Sequence, residues 1–163
     1  MNKRTKMPEK RAKLSGIKIK FFMSSKSFAF NKRRINNLIR KTSNLFGLRK
    51  AQINIEIADD KKIIAVNKKF LKTSKVTDVI SFDVSENKEK FYDIIVNAQL
   101  ANRQAKLRGH SPESELALYI LHGLLHQLGF DDLTPRKAAK MHRTEDQILR
   151  KHGFGVVYGS DKR

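Results

Sequence analysis

The chain has 163 residues, 35 Lys/Arg against 16 Asp/Glu, a formal net charge of +19 and no cysteine. Its length favours one domain able to bury a sizeable core. The missing cysteines exclude a thiolate metal site, a cysteine nucleophile and a disulfide framework, and fit a reducing compartment such as the cytoplasm.

No run of about 18 apolar residues is present to span a bilayer. Eight Lys/Arg against one Glu place +7 of the charge in the first twenty residues, so the body is basic as well. Such a field draws polyanions, nucleic acid first. Residues 1–15 are basic, contain Pro8 and show no apolar period, so they are expected to form a disordered tail before a single domain over 16–163. The segment 21–30 is too short and polar for a signal peptide.

Residues 17–22 alternate at period two and predict a strand. Residues 31–46 place Ile35, Leu38, Ile39, Thr42, Leu45 and Phe46 at helical spacing, with Gly47 as the stop and Lys32, Arg33, Arg34, Arg40 and Lys41 on the outer face. Ile53, Ile55 and Ile57 alternate with polar residues as a second strand. Asp59 is a helix N-cap for a segment running to about Phe70. Residues 79–84 and 91–96 are apolar and β-branched and predict two strands joined by the polar turn 85–90. A helix follows over 98–107, ending at Gly109. Ser111-Pro112 then opens a helix that is apolar nearly all round from 115 to 127 and therefore central. Thr134-Pro135 opens the last helix, closed by Gly153. The order β-α-β-α-β-β-α-α-α predicts an α+β domain. It would be a roughly four-stranded mixed sheet, one face covered by helices, with the most apolar helix buried at its centre.

That central helix carries the chemistry. His122 and His126 are four residues apart inside the apolar run, so on a helix they stand on one face. Gly129 suits the left-handed position after a helix end, from which the chain can turn Asp131 or Asp132 back toward the histidines. Two stacked imidazoles near a carboxylate can grip a divalent ion. The metallopeptidase pattern His-Glu-x-x-His is not met, because Gly123 stands where the Glu base would be.

The run His122-Gly-Leu-Leu-His126-Gln-Leu-Gly-Phe-Asp131-Asp132 resembles the signature of the YbeY-type endoribonucleases, the rRNA maturation factor family, whose pattern is His-Gly-x-Leu-His-Leu-x-Gly-Tyr-Asp-His. Thr77-Asp78-Val79-Ile80-Ser81-Phe82, with Asn67 upstream, is similar to the family's Thr-Asp-Val-Leu-Ser-Phe strand. Asp93-Ile94-Ile95-Val96 is similar to its Gly-Asp-Ile-x-Ile strand. Glu115-Leu116 sits where the family has Glu-Leu before the His helix, and Met141, Glu145 and Ile148-Leu149 match its last helix, so the resemblance covers roughly residues 17–154.

The resemblance implies a metal-dependent, single-strand-specific endoribonuclease acting in 16S rRNA 3′-end maturation and ribosome quality control. His122, His126 and Asp132 would be its metal and catalytic residues, with one divalent ion, Zn2+ first. It further implies ribosomal protein S11 and an assembly GTPase as partners. The alternative is a non-catalytic RNA-binding assembly factor with a residual or structural metal. Three ligands leave a coordination position open for catalysis. Whether water or the RNA's own 2′-hydroxyl attacks stays open.

This chain departs from the family at three places. The third ligand is Asp132 rather than His, which makes a harder donor set whose charge offsets part of the metal's. Leu71 stands where the family has an Arg that contacts substrate, and neither Lys69 nor Lys72 reproduces a bidentate guanidinium. Tyr92 replaces the Gly before Asp93 and is expected to narrow the space there.

Asp131 either hydrogen-bonds a ligand imidazole from behind and orients it, or caps its own loop. His142 reads as a surface histidine on an amphipathic helix, and His110 and His152 as structural, with His152 favouring a helix C-terminus. For RNA the candidates are Lys69 and Lys72, within the basic stretch that also holds Lys68 and Lys75, and Arg33 and Arg34. Phe70 could stack a base, though core packing is the commoner role of an aromatic.

Overall fold

The structure, a computed structural model, describes residues 13–26 and 28–155. Most of the expected tail (1–12) and the end of the expected domain (156–163) lie outside the described residues. Residues 13–15 run without regular structure up to the first strand, and the Leu14 amide donates to Glu89 Oε1 at 3.2 Å.

Four strands form one sheet: β1 (Ile17–Met23), β2 (Ala51–Ala58), β3 (Val79–Asp83) and β4 (Phe91–Asn97). Their spatial order is β1-β2-β4-β3, with β1, β2 and β4 parallel and β3 antiparallel at the edge. The mixed sheet follows from the connections. Helix α1 (Lys32–Leu45) spans the crossover from β1 to β2, whereas the short turn after β3 allows only an antiparallel hairpin with β4. Asn87 takes φ +58 in that turn.

The period-two alternation of β2 puts Ile53, Ile55 and Ile57 on one face, all fully buried. Against that face pack α1, α3 (Ala98–Arg108), α4 (Pro112–Gln127) and α5 (Pro135–Lys151), which share the main core. Each fully buried Leu or Ile there contributes about 1.5–3 kcal/mol.

The opposite face is not bare, as the one-sided arrangement expected from sequence would have it. Ile80, Ile95 and Ala58 pack there with Ile63 and Val66 of α2 (Asp60–Val66) in a second, smaller core. The alternation of β3 and β4 makes this necessary, since Ile80 and Ile95 point away from Ser81 and Ile94. The expected helix to Phe70 also splits: α2 widens into a π-helical turn over Asn67–Leu71, and Lys72 ends it in the left-handed region at φ +52. Asn67 is buried inside this turn, where its Nδ2 donates to the Lys75 carbonyl at 2.7 Å and so closes the loop 67–75.

Helix α4 is buried along most of its length, from Ser114 through Leu121 and again at Gly123 to Leu125. Ser111 caps it, accepting from the Ser114 amide at 3.1 Å, and Pro112 stands in its first turn.

Candidate metal centre

The geometry of the site begins with how α4 ends. Gly129 adopts φ +98, its amide donates to the His126 carbonyl at 3.2 Å, and the Phe130 amide donates to the Leu125 carbonyl at 3.0 Å. This paired arrangement is a Schellman motif, and it needs a residue without a Cβ at the left-handed position. The chain reverses there, which turns the Phe130 carbonyl onto His126 and carries Asp132 back over the face bearing both histidines.

One donor atom from each of His122, His126 and Asp132 lies within 4.8 Å of the others. The two Nε2 atoms are 3.0 Å apart, and the Asp132 oxygens stand 3.6 Å from His122 Nε2 and 3.8 Å from His126 Nε2. The rings themselves cross edge to face, centroids 4.6 Å apart. Exposure rises from 14 % at His122 through 31 % at His126 to 39 % at Asp132, so the cluster opens to solvent on the Asp132 side.

Each imidazole is held from behind. His126 Nδ1 lies 3.1 Å from the Phe130 carbonyl, which can only accept, so that nitrogen carries the proton and Nε2 offers a lone pair. His122 Nδ1 lies 2.6 Å from Oε1 of Glu145, a fully buried residue of α5. Two lone pairs facing each other at 3.0 Å repel unless a proton or a cation lies between them. The three donors together match what zinc-like ions take. The residues present therefore fit a divalent ion.

Burial draws the His122 imidazole toward its neutral form, but the Glu145 hydrogen bond and charge outweigh it, with Asp78 and Asp132 adding, so its pKa stands above the usual histidine value. Burial pushes the Glu145 carboxyl up, partly offset by His122.

Gly123 answers why no peptidase-type base stands beside His122. A Cβ at that position would lie 2.9 Å from Ile94 Cγ2 and 3.0 Å from Val79 Cγ2. The position faces β3 and β4, not the histidine cluster, and has no room even for a methyl group. The Gln127 amide ties the same face to β3, donating to Ser81 Oγ at 2.9 Å.

The other sequence candidates are distributed differently. Asp131 takes the loop-capping place: it accepts from the Leu133 amide at 3.2 Å and from Lys137 Nζ at 2.8 Å. The Lys137 hydrogen bond holds its carboxyl below the usual range. The back-side partners of the histidines are instead Glu145 and the Phe130 carbonyl. Glu145 carried a signal in the sequence: it is the one acid on the buried stripe Met141, Glu145, Ile148, Leu149 of α5. The Phe130 carbonyl carried none, because a backbone group has no residue type.

Arg34 is committed to structure. Its guanidinium bonds Glu113 Oε1 at 2.6 Å and the Gly153 carbonyl at 2.8 Å, and lies 4.2 Å over the Phe154 ring. Arg33 remains exposed on α1. Lys69 stands 5.1 Å over the Phe70 ring, and Lys72 is exposed at the end of the π-helical turn. Phe70 is 56 % exposed, its ring 5.3 Å from that of Phe82, so core packing does not account for it. Leu71 is exposed. Tyr92 does not narrow an opening: it is buried in the main core, and burial pushes its phenol up. His142 is half-buried on α5, and His152 Nδ1 donates to the Ile148 carbonyl at 2.8 Å, at the helix end as expected.

Residues 20–153 match the family described as Endoribonuclease YbeY. This chain belongs to the Endoribonuclease YbeY family. A Macrococcus caseolyticus protein named Endoribonuclease YbeY is 37 % identical over 113 residues, 64 % of this chain and 73 % of that one. One from Staphylococcus saprophyticus is 35 % identical over 113 residues, 64 % of this chain and 74 % of its own. A Myxococcus xanthus relative of the same name is 36 % identical over 109 residues, 63 % of this chain, and the match spans only 37 % of that longer protein. The solution structure of a Thermotoga maritima protein superposes with a TM-score of 0.54 at 19 % identity, covering 88 % of this chain and 93 % of that one, a likeness of fold. Among the described residues no helix is long and apolar enough to cross a membrane.

Proposed function

We propose that this YbeY-family chain is a divalent-metal-dependent endoribonuclease that cuts single-stranded RNA. The observation that carries the reading is the convergence of His122, His126 and Asp132, each histidine held from behind so that its Nε2 faces the others. Relatives named as endoribonucleases and the net charge of +19 support RNA as the substrate. A divalent ion held there, Zn2+ first, supplies Lewis acidity for phosphodiester cleavage.

The chain's own residues do the rest. Glu145 and the Phe130 carbonyl fix the two imidazoles, Asp132 adds a negative donor on the open side, and the basic surface draws the RNA backbone toward it. Family resemblance supports the finer assignment: maturation of the 16S rRNA 3′ end and ribosome quality control in the cytoplasm, with ribosomal protein S11 and an assembly GTPase as partners.

A second reading is an assembly factor that binds RNA without cutting it. The substitutions Asp132 for the family's third His and Leu71 for its Arg favour it. The test is cleavage of a single-stranded 16S rRNA 3′-end fragment by wild type, by His126→Ala and by wild type with a chelator. Cleavage by untreated wild type alone supports the enzyme. RNA bound but uncut in all three supports the assembly factor, and equal cleavage in all three removes this site from the chemistry.

A further inference from the structure

The loop that turns Asp132 back over the histidines has a second side. Between residues 128–131 and the first two turns of α5 lies an open cavity of about 190 Å3, walled by Leu128, Gly129, Phe130 and Asp131 on the loop and by Lys137 and Lys140 on the helix. At about 30 Å3 per water this is roughly six waters' worth of space, room for a small planar ring.

Its walls divide by chemistry. Leu128 and the Phe130 ring are apolar, and Phe46 braces Phe130 edge-on at 5.1 Å, so that ring is fixed. Lys137 and Lys140 are three residues apart on α5, so their ammonium groups rise on one side. Lys137 is paired with Asp131 at 2.8 Å. Lys140 Nζ lies 5.7 Å over the Phe130 ring and has no carboxylate partner among the described residues. An apolar ring beside an ammonium free of carboxylates suits a group with one flat apolar part and one anionic part.

We propose that this cavity is a subsite for one nucleotide of the single-stranded RNA, its base against Phe130 and its phosphate on Lys140. The inference rests on the endoribonuclease reading and deepens it, because the same loop supplies both the cavity wall and Asp132. The nucleotide in the subsite is a close neighbour of the one whose phosphate is cut. Lys140 is thus a substrate-positioning residue that leaves the histidine cluster untouched, and its effect falls on binding rather than on turnover.

The test uses Lys140→Ala and Lys140→Glu, with Lys61→Ala on the far face of the sheet as control. Equilibrium binding of a single-stranded RNA is measured with chelator present, across a salt series, so no cleavage intervenes. Losing one phosphate contact lowers the slope of log K against log salt by about 0.7, which is about four-fold in affinity at 0.15 M. Lys140→Ala is expected to show that loss, Lys140→Glu a larger one, and Lys61→Ala none. In cleavage, Lys140→Ala is expected to raise KM with kcat held.

A Lys140→Ala protein with an unchanged melting temperature and the same slope and KM as the control overturns the subsite. If wild type does not cleave but the slope falls in Lys140→Ala, the subsite stands and the enzyme reading fails. A loss of kcat with KM unchanged overturns the positioning role.

Discussion

Gly123→Ala tests how closely the helix bearing the histidines is pressed onto the sheet. In a helix interior, Ala in place of Gly ordinarily stabilises by up to about 1 kcal/mol. Here the new Cβ meets Ile94 Cγ2 at 2.9 Å and Val79 Cγ2 at 3.0 Å. Carbon pairs prefer about 3.5–4.0 Å, so these neighbours must give way by about half an ångström or more. Neither contact atom is the far end of a flexible chain. Both are branch methyls fixed to Cβ, and Ile94 is fully buried.

Overpacking of this kind costs about 1–3 kcal/mol, which outweighs the propensity gain and leaves a net loss near 1 kcal/mol. For a chain of this size the melting temperature should then fall by about 2–4 °C. The chain has no Trp, so circular dichroism is the suitable probe. In an Ile94→Ala background the cost of Gly123→Ala should shrink, giving a coupling of about 0.5–3 kcal/mol in a double-mutant cycle. A melting temperature that rises in Gly123→Ala, with no coupling to Ile94, would show that α4 does not lie against β3 and β4 this closely.

Glu145→Gln keeps the shape of the side chain but removes the charge behind His122, and a 10–100-fold weaker divalent-metal affinity is expected by competition with a chromophoric chelator. Affinity unchanged within two-fold would leave Glu145 a purely structural role. Asp132→His restores the family's third ligand, so the preference for Zn2+ over Mn2+ should rise, while Asp132→Ala should weaken both. Identical metal preferences in wild type and Asp132→His would remove Asp132 from the donor set.

The Asp60 carboxyl is held below the usual range chiefly by Arg103, which it bonds at 2.8 and 3.0 Å, and by Asn97. A depressed folded-state pKa means stability that is present above the unfolded value of about 3.9 and lost as pH falls through the folded one. Arg103→Ala should therefore be less stable than wild type by up to about 1 kcal/mol near neutral pH, a gap that closes in acid and shrinks at high salt. A gap that persists at pH 2 would assign the loss to packing of the Arg103 stem.

Local physics made most of this fold legible from sequence. The Ile53-Ile55-Ile57 alternation, the Asp59, Ser111 and Thr134 caps and the glycines at 47, 109 and 153 each act within a few residues, so the chain announces them. The spacing of His122 and His126 is of the same kind, because a helix fixes which side chains share a face. Gly129 signals that the chain can reverse there.

Other features arose only from contacts between segments far apart in sequence. Glu145 stands behind His122 because α5 lies across α4. Arg34 is absorbed by Glu113 and Gly153, over a hundred residues apart from it at the farther end. Tyr92 is taken into the core, and Phe70 is left outside beside Phe82. Gly123 is required by methyl groups on two strands that nothing in its own helix foretells. The residue types of the candidate donors were legible in the sequence, whereas their orientation depends on backbone carbonyls and packing that only the assembled tertiary structure brings within reach.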